Sequence, residues 1–227
     1  MVVYEDLHKR YGFSASQKKI IDIVGNKKIV LEVGASVGYM TRVFLKNSCI
    51  VDVVENDREA VKKIPKGARK ILKLSIEDPR VISQLNKDYD FIIFADVLEH
   101  LVSPEIVLKK ILKVGKKQTK LIISMPNIAS WVIRKELFLK GDFEYQESGI
   151  LDKTHLHFYT IKTLPKLIAD NGWKVEELIG TITRLPFEQS IKKIPVISFL
   201  INILRKLIVN QYKNLTYEHF VLIALKK

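Results

Sequence analysis

The chain has 227 residues, 47% of them hydrophobic, and 38 Lys and Arg against 25 Asp and Glu give a formal net charge of +13. This composition excludes intrinsic disorder, and the length suits one large domain. A single cysteine, Cys49, excludes a disulfide framework and a cysteine-based zinc site. The basic excess by itself leaves four partners open: nucleic acid, an anionic membrane, an acidic substrate, or only water around a lysine-rich surface.

In chain order, residues 1–24 are expected to form an N-terminal helical segment. They lack the basic and apolar regions of a secretory signal. Five short, nearly continuous apolar runs follow, at 28–33, 49–55, 68–74, 90–95 and 120–124. Such runs predict strands buried on both faces, as in a parallel sheet. Helical patterns separate them at 39–46, 58–64, 79–86 and 104–114, with Pro79 and Pro104 suited to first-turn positions. The alternation predicts βαβ crossovers and a doubly wound sheet. Residues 126–160 carry no long periodic run and are rich in aromatics, Gly and His. Residues 161–171 read as a helix stopped by Gly172, 173–179 as a strand, 187–211 as helical, and 217–225 as the last strand.

The run Glu32-Val33-Gly34-Ala35-Ser36-Val37-Gly38 ends a strand in a glycine turn and opens a helix. Gly34 permits close backbone approach by a ligand, and Gly38 permits tight strand–helix packing. Glu55, at the tip of the second strand, is placed to hold both hydroxyls of a ribose. A dinucleotide fingerprint would need glycines at 36 and 39, where Ser36 and Tyr39 stand, and Glu32 suits a cation better than a pyrophosphate.

These residues resemble motif I of class I S-adenosylmethionine (SAM)-dependent methyltransferases. Val54-Glu55-Asn56 resembles the family's ribose-binding acidic motif, and Leu74-Ser75-Ile76-Glu77-Asp78 its adenine-contacting turn. Phe94-Ala95-Asp96-Val97-Leu98-Glu99-His100 and Ile123-Ser124-Met125-Pro126-Asn127 resemble the motifs after the fourth and fifth strands. The resemblance spans about residues 25–180. It implies a Rossmann-like α/β fold with a seven-stranded, mostly parallel sheet, an antiparallel last strand, a lid after strand 5 and an extra helix before the last strand, with residues 126–160 and 184–212 as lid elements on the substrate side. It also implies SAM as cofactor, with S-adenosylhomocysteine as product. Its expected contacts are Glu32, Gly34, Ala35, Ser36, Gly38, Glu55, Asn56, Ser75, Ile76, Glu77, Ala95 and Asp96. The family often has Asp where Ser75 stands, so Ser75 or Glu77 would meet the adenine amine. Residues 141–145 and 149–160 resemble a bacterial and archaeal subgroup near the ubiquinone-biosynthesis and glycan-cluster O-methyltransferases. That likeness implies O-methylation of a small molecule, sugar or glycan-lipid precursor.

A hydroxyl nucleophile benefits from a general base. Among five histidines, His155 in the segment after the fifth strand is the first candidate, and His100 beside the expected cofactor the second. His157 lies two residues beyond His155 and is expected to point away from it. It is taken, with Asn127 and Tyr145, as a substrate contact. Trp131, Phe138, Phe143, Phe158 and Tyr159 would wall the pocket or pack the lid, and His8 and His219 are expected on the surface. Asp96, Glu99, His100 and His155 resemble the two-carboxylate, two-histidine Mg²⁺ site of small-RNA 2′-O-methyltransferases. The main reading uses no metal. A non-catalytic SAM-fold protein binding partners through its basic face is the other alternative.

The charge is concentrated late in the chain: 103–140 carry nine Lys and Arg against two Glu, and 184–227 eight against two. The apolar stretch 191–209, with basic ends, could be a lid helix, a dimer contact or an interfacial anchor. The expected protein is cytoplasmic or peripheral to a membrane, a monomer or homodimer, acts on a small-molecule or glycan acceptor, and has no nucleic-acid partner.

Overall fold

The computed structural model describes residues 12–182 and 211–227. His8 and the stretch 191–209, with its alternatives, lie outside the described residues. Chain order is α1 (Ala15–Val24), β1 (Ile29–Val33), α2 (Tyr39–Lys46), β2 (Ile50–Val54), α3 (Arg58–Lys63), β3 (Lys70–Leu72), α4 (Pro79–Gln84) and β4 (Phe91–Ala95). A 3₁₀ turn (Leu98–His100), α5 (Pro104–Ile111), β5 (Lys120–Pro126), α6 (Trp131–Lys140), α7 (Thr163–Asp170), β6 (Trp173–Ile182), the short α8 (Lys213–Thr216) and β7 (Tyr217–Lys226) follow.

One seven-stranded sheet runs β3-β2-β1-β4-β5-β7-β6. The first five strands pair in parallel, and β7 lies antiparallel between β5 and β6. This is the Rossmann-like α/β architecture expected above, including the antiparallel last strand. Strand order reverses between β1 and β4, and the carboxyl ends at such a reversal leave a crevice for ligands.

The apolar runs of the sequence become strands because both faces are covered. Leu31, Val33, Ile92, Phe94, Leu121 and Ile123 pack on one face with Leu108, Ile111, Leu164, Ile168 and Trp173. Val30, Val51, Val53, Ile93 and Ile122 pack on the other with Ile20 and Val24 of α1 and Met40 and Phe44 of α2. Period-two alternation along β1 therefore turns Glu32 toward α2, where Thr41 meets it. Helix starts follow local chemistry: Asp57 and Asp78 cap α3 and α4, and Ser14 and Gln17 form a capping box at α1.

Several elements depart from the sequence reading: β3 is confined to Lys70–Leu72 and β6 runs on to Ile182. β5 extends to Pro126 because β7 pairs along it as far as His219. Residues 131–140 are a helix where no periodic pattern was visible. Ile133 is its one buried residue, while Phe138 and Leu139 are exposed, so α6 has no apolar stripe to read. Gly141 ends α6 with φ 64° and an N–H bond of 3.0 Å to the Leu137 carbonyl.

One buried polar knot sits at the β2–β3 edge. Asp52 is 1% exposed and accepts two 2.8 Å bonds from Arg69, one of 3.0 Å from Asn86 and another from the Tyr89 hydroxyl. Asp52→Ala leaves the buried Tyr89 hydroxyl and the half-buried Arg69 without it. We expect a loss of about 3 kcal/mol in urea unfolding, against less than about 1 kcal/mol for exposed Glu59→Ala.

Candidate active site

At the carboxyl ends of β1, β2 and β4 lie two adjoining cavities of about 520 and 250 Å³, both lined by Gly34, Asp96 and His100. The turn after β1 shapes them. Gly34 has φ 70°, and a Cβ there would come 2.5 Å from Val97 Cγ2, so the loop after β4 packs where only glycine leaves room. Ser36 is also left-handed, at φ 51°, and its N–H donates at 2.7 Å to Glu55. Asp57 N–H donates to the other Glu55 oxygen at 2.8 Å, fixing that carboxylate at the mouth of the smaller cavity. Gly38 (φ 78°) is set against Pro65, where a Cβ would lie 2.7 Å from Pro65 Cδ. Its part is packing, as the sequence suggested, and it lines neither cavity.

Glu32 is buried at the floor of the larger cavity and accepts a 2.6 Å bond from Thr41. Burial pushes its carboxyl up to about 7; the Thr41 bond opposes the shift, and the nearby Glu55 charge adds to it. Ala35, Ser36 and Ala95 line the same cavity; Asn56, Ser75, Ile76 and Glu77 line the smaller one. The Ser75 hydroxyl accepts from Glu77 N–H at 3.2 Å, and the Glu77 carboxylate accepts from Ser103 N–H at 2.9 Å. Glu77 thus also joins this turn to the start of α5.

The loop after β4 carries the other half of the site. Asp96 adopts φ 54°, donates its N–H to the Ser124 carbonyl at 3.0 Å and accepts the Ser124 hydroxyl at 2.9 Å. Backbone strain of this kind concentrates at functional sites. Glu99 follows in the 3₁₀ turn, and its carbonyl accepts from Leu156 and His157 N–H at 2.8 and 3.1 Å. Those two bonds fasten residues 149–159 over the crevice and bring His155 beside His100, ring centroids 4.7 Å apart. Each ring uses Nδ1–H on a carbonyl: His155 on Ile150 at 3.0 Å, His100 on Thr154 at 3.2 Å. Carbonyls only accept, so the neutral rings carry their lone pairs on Nε2. Burial holds the His155 imidazole below its usual pKa. The Glu99 side chain is buried, and burial, then the Asp96 and Asp152 charges, push its carboxyl well up.

Three expected substrate contacts stand away from both cavities. Asn127 is fully buried and its amide is occupied: Nδ2 donates to Asn214 and Tyr217 carbonyls at 3.0 and 2.8 Å, and Oδ1 accepts from Ala129 N–H at 3.1 Å. It joins the end of β5 to the entry of β7 and has no donor left for a hydroxyl. Tyr145 is over half exposed and packs with Phe143 and Phe158 outside the lining. His157 lines neither cavity and its ring lies 6.1 Å from that of Tyr159; residues 155–158 form no strand, so the period-two rule that would put 155 and 157 on one face does not apply there.

The sequence reading overlooked other lining residues. His219, expected on the surface, lines the larger cavity from β7, as do Ser14 and Gln17 from the start of α1 and Ser148 and Gly149 from the lid. The Ser14–Gln17 capping pattern marks a helix start but nothing in it marks a cavity wall.

The family described as "Methyltransferase domain" matches residues 7–178. No curated protein sequence matches. Among solved structures, a SAM-dependent methyltransferase of Archaeoglobus fulgidus is similar with TM-score 0.67 and 16% identity, over 98% of this chain and 99% of that one. Another from Thermotoga maritima gives 0.63 and 17%, over 99% and 95%. A TehB-like SAM-dependent methyltransferase of Corynebacterium glutamicum gives 0.60 and 12%, over 99% and 94%. At such identities the structures speak for the fold, whereas the family match covers most of the chain. The chain belongs to the methyltransferase-domain family, and is a class I, SAM-dependent methyltransferase with the Rossmann-like fold of that class.

Proposed function

We propose that this enzyme methylates a hydroxyl oxygen of a small acceptor, such as a sugar or a glycan-lipid precursor, presented from beneath the 126–160 lid. The observation that carries the reading is the pair of histidines whose Nε2 lone pairs are fixed by Nδ1–H bonds to Ile150 and Thr154 carbonyls on the acceptor side of the crevice. Outside the cavity lining, Phe143, Tyr145 and Phe158 pack together and reach His155 through Phe158 at 6.1 Å, so they brace the lid beside that ring.

The donor set fits SAM, a nucleoside with a cationic amino-acid tail and no phosphate. Glu55 is held rigid by two backbone N–H groups and keeps lone pairs for the ribose hydroxyls. Ser75, Ile76 and Glu77 would face the adenine, and Glu32 and Asp96 the cationic end. When bound, the cofactor supplies a methyl group activated by its sulfonium. The chain itself aligns the acceptor oxygen for in-line approach and excludes water, and such positioning supplies most of the rate. His155 Nε2 accepts the hydroxyl proton as the oxygen attacks, with His100 as its neighbour.

Methyl transfer from labelled SAM across a panel of hydroxyl and amine acceptors tests this reading. Label on oxygen is expected, and label only on nitrogen or carbon overturns it. His155→Gln should lower kcat by about 10²- to 10⁴-fold with SAM affinity unchanged, whereas His157→Gln should leave kcat within about threefold. Glu55→Ala should weaken SAM binding at least about tenfold in calorimetry, because a fixed pair of hydroxyl contacts is lost.

Glu32 generates a pH prediction. In the free protein its carboxyl is half protonated near pH 7. A bound cation favours the carboxylate, so SAM binding expels a proton and tightens as pH rises from about 6 to 8. Calorimetry at pH 7 in buffers of different ionisation enthalpy should detect that proton, and Glu32→Gln should abolish it.

A further inference from the structure

We propose that Glu99, His100 and His155 form a binding site for one divalent transition-metal ion at the acceptor end of the crevice. One donor atom from each residue lies within 4.8 Å of the other two. Glu99 is 1% exposed, and neither of its carboxylate oxygens has a hydrogen-bond partner. Burying such a group is costly unless it is paired, hydrogen-bonded or bound to a metal. The other buried carboxylates of this site do have partners, Glu32 in Thr41 and Glu55 in two backbone amides.

The two rings are prepared as ligands. With Nδ1–H held on carbonyl oxygens, Nε2 is the nitrogen each ring can offer. His100 has a further support: the Thr154 hydroxyl lies 3.1 Å from its Nδ1 and itself donates to Asp152 at 2.7 Å. Outer partners of this kind orient metal-binding histidines and raise their basicity. Bonds of about 2.0–2.2 Å set donors roughly 3–3.5 Å apart, so the three side chains would draw in by about 1 Å as the ion enters. Two imidazoles with one carboxylate select zinc, manganese, cobalt or iron, because Mg²⁺ favours oxygen donors and retains its waters.

Three protein ligands leave coordination positions open, and all three residues line the larger cavity. The acceptor oxygen fits an open position; for this consequence, though not for metal binding itself, the inference rests on the oxygen-methylation reading. An ion held there would act as a Lewis acid on an acceptor hydroxyl at an open position, lowering its pKa so that the proton could leave before methyl transfer without a protein base and with no change in metal oxidation state. In the metal-free site His155 takes that proton instead.

Titration of the tag-free full chain with Co²⁺, after dialysis against a chelator, tests the site by visible absorption. We expect one Co²⁺ per chain, displaced by Zn²⁺ and not by excess Mg²⁺. Glu99→Gln and His155→Gln should each weaken Co²⁺ binding at least tenfold, His157→Gln should bind as wild type, and SAM calorimetry should be unchanged in all three. A wild-type chain without a saturable Co²⁺ spectrum, or Glu99→Gln and His155→Gln variants that bind Co²⁺ as wild type, overturns the proposal. Displacement by Mg²⁺ overturns the transition-metal assignment. Saturable Co²⁺ binding in a protein that methylates only nitrogen would leave the metal site standing and overturn the oxygen-acceptor reading.

Discussion

The way the chain leaves β4 constrains everything on the functional side of this protein. Within eight residues, Asp96 to Ser103, four separate parts of the fold converge. Val97 fills the space that Gly34 leaves open, so the turn after β1 and the loop after β4 sit in one packed unit. Ser103 N–H binds Glu77, tying in the turn after β3. Asp96 is held in a left-handed conformation by Ser124 on β5. The Glu99 carbonyl carries the lid through Leu156 and His157. None of these contacts is large in energy, each being worth about 1 kcal/mol as a net hydrogen bond. Their effect is geometric: the turn after β1, which shapes the crevice, and the lid over it refer to the same short segment. The lid is held at the Glu99 carbonyl and again at Tyr159, whose carbonyl accepts from Ile128 N–H just beyond β5.

The strand-end residues that line the crevice are legible in the sequence because their places follow from β1 and β2. Period-two alternation and glycine placement fix Glu32, Gly34 and Glu55 once β1 and β2 are recognised, and the apolar runs make that recognition straightforward. The acceptor half was less legible, for reasons that residues make concrete. Asn127 was a reasonable hydroxyl contact by position, but its amide is consumed by carbonyls 87 and 90 residues away in sequence, and no local pattern encodes a contact at that separation. His219 enters the cavity because β7 runs antiparallel beside β5, which places it opposite Pro126. Helix α6 is hard to read because it lacks a buried stripe, which leaves only Ser130 before it and Gly141 after it as local marks of its ends. His155 was identified by its place in the chain, while its tautomer depends on the Ile150 carbonyl five residues earlier and needed coordinates.

The +13 charge of the chain and the acidity of its crevice belong to different regions. Glu32, Glu55, Glu77, Asp96 and Glu99 surround the cavities, while basic side chains crowd residues 103–140 and 184–227. On α5 and the segment beyond it, Lys109, Lys113 and Lys116 face solvent or pair at the surface, Lys116 with Asp90 at 2.6 Å. Such pairs contribute little to stability. No helix among the described residues is long and apolar enough to cross a membrane. The acidic crevice inside a basic chain matches a cationic cofactor locally and leaves the surface charge free to act on how a partner or substrate approaches.

Within that acidic crevice the carboxylates are not equivalent, and the difference is physical. Asp52, deeper in the fold, is saturated by Arg69, Asn86 and Tyr89. Glu55 accepts two backbone amides and Glu32 one hydroxyl, with partial relief of their burial. Glu99 has the same burial and none of the relief. A protonated Glu99 would still leave a buried donor and acceptor unmatched, and an ionised one would stand next to Asp96 without a counter-charge. The surroundings reject both states of the free acid, yet they bring a nitrogen of each of two imidazoles within 4.8 Å of it. A group that is unfavourable alone and surrounded by prepared nitrogen donors is best explained by a positively charged occupant, and this is why the three residues belong together as one site and not as three separate ones.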